Sequence, residues 1–210
     1  MSKDKFIIHV ISVGFERLGE LKVFVQSWLN QTENNWKLTI IHDGKNENFN
    51  KIMDDYKKQR PDQITYYSSE KRYNDYGHSL REQALKKIEG DYVLLSNCDN
   101  YFIPKAMKYI NEALNHIGRE LDVLMFNMVH SHQSKTKEGK TIPSYSPLNV
   151  EYARNAIDVS SAIVKKELAE QVGFRDKTFA GDATYFEDIY KIKKKDTKIA
   201  KIGRILLVHN

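Results

Sequence analysis

The chain begins with a nearly continuous apolar run, Phe6-Ile7-Ile8-His9-Val10-Ile11-Ser12-Val13, rich in β-branched residues. Such a run predicts a strand buried on both faces, as in a parallel sheet. Leu18, Leu21, Val25, Trp28 and Leu29 then recur at helical spacing, predicting an amphipathic helix over 18–30. Trp36 to Ile41 reads as a second strand stopped by His42-Asp43-Gly44, Phe49 to Lys58 as a helix, and Ile64 to Tyr67 as a third strand. Ser79 to Ile88 is helical, Gly90 breaks it, and Tyr92 to Leu95 is a fourth strand. Pro104 suits a first helical turn and opens a helix to Ile117, followed by a strand from Leu121 to Met128. This alternation is that of a doubly wound α/β domain. The pattern fades over 130–155, where Pro143, Pro147 and Gly139 interrupt a polar stretch; loops of this length are functional or disordered. Order returns at Ile157 to Val164, with a helix over 165–172 and a hairpin or final strand over 199–208.

The polar residues between these elements carry the chemistry, because open α/β sheets bind ligands beyond the carboxyl ends of their strands. The first strand ends in Ser12-Val13-Gly14-Phe15-Glu16-Arg17, the second in His42-Asp43-Gly44 and the fourth in Ser96-Asn97-Cys98-Asp99-Asn100. Each alone has a plain explanation, since Asp-Gly makes turns and Asp-Asn caps helices. Three together at one edge point to a binding site. Asn97 and Asp99 flank Cys98 and can aim oxygens into one small volume. Mg²⁺ and Mn²⁺ take such oxygen ligands, commonly one or two carboxylates plus substrate phosphates. Cys98 itself reads as a packing residue rather than a nucleophile.

Composition narrows the setting. With 210 residues the chain is expected to form one domain in two halves, 1–128 and 129–210, the second with a long loop at 130–155. A single cysteine excludes an intrachain disulfide framework and leans toward a reducing compartment. No apolar run approaches the roughly 18–20 residues of a membrane span, and Met1–Lys5 leads into a strand rather than a signal peptide, so a cytoplasmic location is expected. The 33 Lys+Arg against 28 Asp+Glu leave a net charge of +5. Lys191, Lys193, Lys194, Lys195, Lys198 and Lys201 concentrate it near the end of the chain. That tract reads either as a solvated helix end and turn or as peripheral contact with an anionic membrane face. Nucleic acid is not expected as a partner, because no reader motif accompanies the charge.

In order and spacing these motifs resemble glycosyltransferase family 2, which implies a three-layer α/β/α nucleotide-diphospho-sugar transferase of the glycosyltransferase-A type with a mixed, mostly parallel sheet. Val10 to Arg17 resembles the family's first strand and nucleotide-contacting turn, Ile40 to Gly44 its second-strand end, and Tyr76-Gly77-His78-Ser79-Leu80-Arg81 its glycine-to-arginine segment. Leu94 to Tyr101 sits where the family carries Asp-x-Asp, and Ala180-Gly181-Asp182 and Phe186-Glu187-Asp188 where it carries acceptor-side acids. The resemblance implies donor contacts from Ser12, Val13, Gly14, Arg17, Asp43, Gly77, His78, Arg81, Asn97 and Cys98, with Asp43 accepting from the base and Arg81 meeting phosphate. It implies Mn²⁺ or Mg²⁺ on Asp99, with His209 as a late histidine ligand. Asp188 is the first choice of general base, then Glu187 and Asp182. The activity implied is inverting transfer from a nucleoside-diphosphate sugar to a saccharide or lipid-linked acceptor, in polysaccharide or glycoconjugate synthesis. Asn97 departs from the family's first aspartate, which leaves a second reading: a non-catalytic nucleotide-sugar or carbohydrate-binding module descended from a transferase. Tyr66, Tyr67, Tyr73, Tyr76 and Tyr101 are expected near the strand ends, where one of them can stack on base or sugar. His130 and His132 are expected to be loop residues.

Overall fold

The computed structural model describes residues 6–135 and 141–210. The opening pentapeptide, and Glu138 and Gly139 of the long loop, lie outside the described residues. Among the described residues eleven strands form in chain order: β1 Ile8–Gly14, β2 Trp36–His42, β3 Ile64–Ser68, β4 Tyr92–Asn97, β5 Tyr101–Phe102, β6 Val123–His130, β7 Ser134–Lys135, β8 Thr141–Ile142, β9 Ser146–Leu148, β10 Ala162–Lys165 and β11 Ile199–His209. The helices are α1 Leu18–Leu29, α2 Glu47–Gln59, α3 His78–Leu85, α4 Ala106–Ile117, α5 Lys166–Val172 and α6 Gly181–Lys193.

One sheet runs in the order β3-β2-β1-β4-β10-β6-β11-β5, with β9 also paired to β6. Strands β3, β2, β1 and β4 are parallel; β10 runs antiparallel to both β4 and β6, so β6 and its parallel neighbour β11 point the same way as β4. The fold is the mixed, largely parallel α/β architecture that the family resemblance implies. Its central strands are buried almost throughout, which is why they read as apolar runs rather than alternating ones. Trp28 on α1, Trp36 on β2 and Phe102 on β5 pack ring against ring at 5.9 and 4.9 Å from Trp28. Asn35 and Asn111 exchange amide hydrogen bonds at 2.8 Å, and Gln31 accepts from Met107 N, fastening α1 to α4.

Several boundaries shift for local reasons. Helix α2 starts two residues before the expected Phe49 because Asn46 caps it, its Oδ1 accepting from Phe49 N at 2.9 Å. Residues 199–209 form one long strand rather than a hairpin, paired in parallel with β6. Helix α6, which no strong periodicity announces, places Glu187 and Asp188 in mid-helix instead of at a helix start. The described parts of the 130–155 stretch are pinned: β9 pairs with β6, Tyr145 N donates to His130 O, and Val150 N to Asn127 Oδ1. The six lysines of the tract are exposed, and three of them reach partners within the chain. Lys193 Nζ sits 2.7 Å from both oxygens of the buried Asp122, Lys201 Nζ bonds Asn149 Oδ1, and Lys191 pairs with Asp188. Among the described residues no helix is long and apolar enough to cross a membrane.

Candidate active site

Strand register brings the polar loops together. Gly14 lies opposite His42, Val13 opposite Asn97, and His130 opposite His209, so the loops leaving β1, β2, β4, β6 and β11 open on one edge of the sheet. Two adjoining hollows occupy that edge, one of about 370 Å³ and one of about 760 Å³, sharing Arg17, Tyr76, Asn97 and Asp99 in their walls.

The smaller cavity is lined by Val13, Gly14, Arg17, Asp43, Gly77, Asn97, Cys98 and Asp99, eight of the residues expected there. Buried Asp43 holds the chain after β3, its Oδ1 accepting from Tyr73 N at 2.7 Å and its Oδ2 from Asn74 N at 3.0 Å. Each oxygen keeps a second lone pair for a ligand. His42 stands behind the wall and joins two loops: Nδ1–H donates to Gly44 O at 2.7 Å, and Nε2 accepts from Glu16 N at 3.1 Å. The Arg72 guanidinium covers the Phe15 ring at 3.5 Å. Ser12 does not reach the cavity; it is fully buried and its hydroxyl meets the Cys98 thiol at 3.2 Å. Burial pushes that thiol up to about 12, so Cys98 is a packing group, closely apposed to Gly14, where a Cβ would lie 2.8 Å from the Cys98 Cβ.

Arg81 departs most from expectation. Its side chain is 1 % exposed, with Nη1 donating to Tyr76 O at 2.7 Å and Nη2 to Ser96 O at 3.0 Å and to Asn97 Oδ1. Rather than meeting phosphate, it clamps the Tyr76 turn to the end of β4. Asn97, expected to face the donor, spends its carbonyl oxygen on that cation. Asp99 is half-buried: Oδ2 accepts from Arg17 Nη1 at 2.5 Å, while Oδ1 is buried with no partner. An orphaned carboxylate oxygen costs free energy unless a ligand satisfies it. His209 Nδ1 is also buried and unpaired, in the wall of the same larger cleft. Among the described residues no group of three His, Cys, Asp or Glu side chains is arranged to hold a metal alone. Asp99 Oδ1 and His209 Nδ1 are two unpartnered buried atoms on residues that line the same cleft.

The larger cleft contains Asp182, Asp158, His130 and His209. Asp182 is the second residue of α6, where the helix dipole favours its anion. Burial outweighs that effect, and the Asp158 carboxyl adds to it, so the Asp182 pKa is pushed up to about 7 against the pull of Arg81 and a bond from Val159 N. Asp158 starts a short 3₁₀ turn, its Oδ1 accepting from Ser160 N at 2.7 Å, and its Oδ2 lies 3.6 Å from His209 Nε2. His209 in turn stacks on His130, with centroids 4.8 Å apart and planes 2° from parallel. His130 and His132 are thus wall residues of the cleft.

Asp188 and Glu187 are elsewhere. Arg175 Nε lies 2.5 Å and Lys191 Nζ 2.8 Å from Asp188, and the Arg175 guanidinium holds that carboxyl below its usual range. Glu187 is forked by Arg154 Nε and Nη2 at 2.7 and 2.8 Å and likewise lowered. Neither lines the cleft, because i+5 and i+6 on a helix fall on other faces from Asp182. His78 lines it only as part of its wall: Nε2–H donates to Thr178 O at 3.1 Å, and burial lowers its pKa to about 4, leaving it neutral. Of the five tyrosines, Tyr76 alone lines the two hollows. Sequence reasoning missed Asp158, which sits in an unremarkable Ile-Asp-Val-Ser; only its pairing of an N-cap residue with a following strand hinted at a position on the carboxyl edge.

The model of glycosyl transferase family 2 matches residues 10–179. No curated protein matches the sequence. Among solved structures, residues 1–349 of S. aureus TarS superpose with a TM-score of 0.74 at 16% identity, covering 97% of this chain and 60% of that one. TarS with UDP-GlcNAc gives 0.73 at 14% identity over 96% of this chain and 58% of that one. Mannosyltransferase PcManGT from Pyrobaculum calidifontis, with GDP-Man and Mn²⁺, gives 0.70 at 15% identity over 98% and 57%. At such identities the likeness is one of fold, and the chain spans about 60% of the first of these structures.

Proposed function

The chain belongs to glycosyl transferase family 2, and on that premise we propose that it transfers a sugar from a nucleoside-diphosphate sugar to a hydroxyl acceptor by a single inverting displacement. Residues 1–128 would form the donor half and 129–210 the acceptor side. The observation that carries this reading is Asp182: a carboxyl held near neutrality, in a cleft that adjoins a nucleotide-sized cavity through Asp99 and Arg17. A general base works best with a pKa close to the operating pH. Asp188, locked between Arg175 and Lys191, has neither the position nor the proton affinity for that role.

The donor's nucleoside would enter beside Asp43, with its diphosphate at the junction of the hollows. Arg17, 60 % exposed and anchored on Asp99, is placed to neutralise the departing diphosphate. Asp99, with His209 as a second ligand, would hold Mn²⁺ or Mg²⁺, whose chemistry is Lewis-acid stabilisation of that leaving group. Asp182 takes the proton of the acceptor hydroxyl; that oxygen forms the new bond to the anomeric carbon as the bond to diphosphate breaks on the opposite face. The neighbouring Asp158 carboxyl helps to keep the proton affinity of Asp182 high. The Arg81 strut keeps the Tyr76 turn and the end of β4 in register, so donor and base stay in fixed relation.

Titration calorimetry with UDP and GDP, with and without Mn²⁺, followed by a screen of nucleoside-diphosphate sugars for hydrolysis, tests this. Metal-dependent nucleotide binding with slow hydrolysis of one donor is expected. Nucleotide binding with no turnover of any donor would support a binding module instead, and sugar binding with no nucleotide affinity would sink both the donor site and the transferase.

A further inference from the structure

Five aromatic rings run in an unbroken line from the core to the mouth of the larger cleft. Buried Tyr185 stacks on Phe174 at 4.7 Å and 6°, Phe174 on His78 at 5.0 Å and 16°, His78 meets Tyr76 at 6.2 Å, and Tyr76 meets Phe179 edge-on at 5.8 Å. The first three are almost wholly buried, whereas Tyr76 is 61 % and Phe179 83 % exposed. Phe179 is the most exposed of the large hydrophobic residues described.

This exposure is built in. The loop that carries Phe179 is fastened on both sides: Thr178 O accepts from His78 Nε2 and from Gly181 N, and Thr178 N and Oγ1 both bond Asp176 Oδ1, at 3.0 and 2.7 Å. Gly181 cannot carry a side chain, since a Cβ there would come within 2.5 Å of His78 Nε2 and 2.7 Å of Asp176 O. Tyr76 has φ +59°, a conformation that non-glycine residues adopt only under constraint, and Arg81 Nη1 grips its carbonyl at 2.7 Å. Two rigid backbones thus present two rings to solvent beside Asp182. The same cleft is also lined by the polar residues Gln133, Arg154 and Asn155.

Exposed rings and hydrogen-bonding groups in the wall of one cleft match a ligand with an apolar face and a polar rim. A pyranose is such a ligand: its axial C–H groups form one face that packs on the electron-rich face of an aromatic ring, while its hydroxyls point outward. A lipid chain would need a continuous apolar wall instead. We propose that Phe179 and Tyr76 form the platform on which a pyranose unit of the acceptor stacks, placing its hydroxyl toward Asp182; the acceptor class is therefore a saccharide, free or as the terminal sugar of a larger conjugate. This rests on the transferase reading for the identity of the acceptor, but the platform itself is tested by binding.

The probes are maltotetraose, cellotetraose, laminaritetraose, mannotetraose and chitotetraose, examined by saturation-transfer NMR and titration against the whole chain, with UDP and GDP titrated on the same samples. At least one tetraose is expected to bind with saturation concentrated on the C–H protons of one pyranose face. Phe179→Ala is expected to weaken it roughly tenfold or more, Phe179→Trp to retain it, and Val23→Ala, on the exposed face of α1, to leave it unchanged. Binding of none of the five, or equal binding by Phe179→Ala and the parent chain, overturns the platform. Nucleotide binding in those same samples shows that the donor reading survives such a result; tetraose binding without nucleotide binding supports the platform and removes the donor reading.

Discussion

Arg81 Nη2 donates to Oδ1 of Asn97 beneath the wall shared by the two cavities, so the residue standing where the family carries its first acidic ligand is bound to a buried cation. The same guanidinium holds the carbonyls of Tyr76 and Ser96. A carboxamide at 97 is therefore part of a structural joint, while Asp99 lines both cavities with one oxygen unpartnered.

That joint predicts a stability effect. Arg81→Met removes the donor to the buried Ser96 O and to the partly buried Tyr76 O and Asn97 Oδ1, and should cost about 3 kcal/mol or more. Arg81→Lys should recover only part of it, because an ammonium cannot serve carbonyls spread around a planar fork. Urea unfolding monitored by the fluorescence of Trp28 and Trp36 measures both. An Arg81→Met protein as stable as the parent would show the joint to be unimportant.

Asp182→Asn should lower turnover by roughly 10²–10⁴ while nucleotide affinity is kept, the range of a lost general base. Asp188→Asn should leave turnover within a few-fold, because that carboxylate is tied to Arg175 and Lys191 outside the cleft. Donor hydrolysis rates for the two variants decide between them; the reverse order of effects would return the role to Asp188.

The pH dependence follows from the same pair. Transfer needs Asp182 ionised, so kcat/KM should rise with pH through a limb near its raised value of about 7. Asp158→Asn removes the neighbouring charge that raises it, so the limb should move to lower pH. The stability sign is opposite: the folded state holds this proton more tightly than the unfolded chain, so the contribution is complete at pH values below the ordinary carboxylate range and is lost as pH rises through about 7. Thermal unfolding of Asp182→Asn at pH 5 and pH 8 should show the variant gaining on the parent at the higher pH.

Asp99→Ala should remove the Mn²⁺ enhancement of UDP or GDP binding by roughly tenfold or more, equivalent to about 1.4 kcal/mol. His209→Ala should reduce it less, since an ion delivered by the diphosphate keeps its phosphate ligands. Calorimetry in EDTA gives the baseline; an enhancement that survives Asp99→Ala would rule out that carboxylate as a ligand.

Gly181→Ala should be destabilising by about 1–3 kcal/mol, as overpacking usually is, because the new methyl meets the His78 ring and a backbone carbonyl within 2.7 Å. Chemical denaturation of the variant reads this directly, and an unchanged midpoint would mean that the loop before α6 yields freely.

Hydrophobic patterning was enough to determine the order and type of the main elements, since strands buried on both faces and helices buried on one leave different periods in the chain. Strand ends such as Gly14, Asp43 and Asn97–Asp99 could be placed on one edge because parallel strands in a wound sheet share a direction. Helix α6 left a weaker signal, for its buried Tyr185, Phe186 and Ile189 are mixed with lysines whose charges are matched elsewhere in the fold, Lys193 with Asp122 among them.

What only the tertiary structure decided is which polar groups face inward. Ser12, Arg81 and His78 lie in the right segments, yet all three are buried and bonded within the protein, to Cys98 Sγ, Ser96 O and Thr178 O respectively. Asp188 and Asp182 are separated by six residues on one helix and by the whole difference between an ion pair at the surface and a carboxyl pair in a cleft. Proton affinity depends on burial and on neighbours such as Asp158 and Arg81, which are distant in the chain and meet only when the sheet is assembled. Local sequence specifies the residue type at a position; the charge it carries there is set by what the fold packs around it.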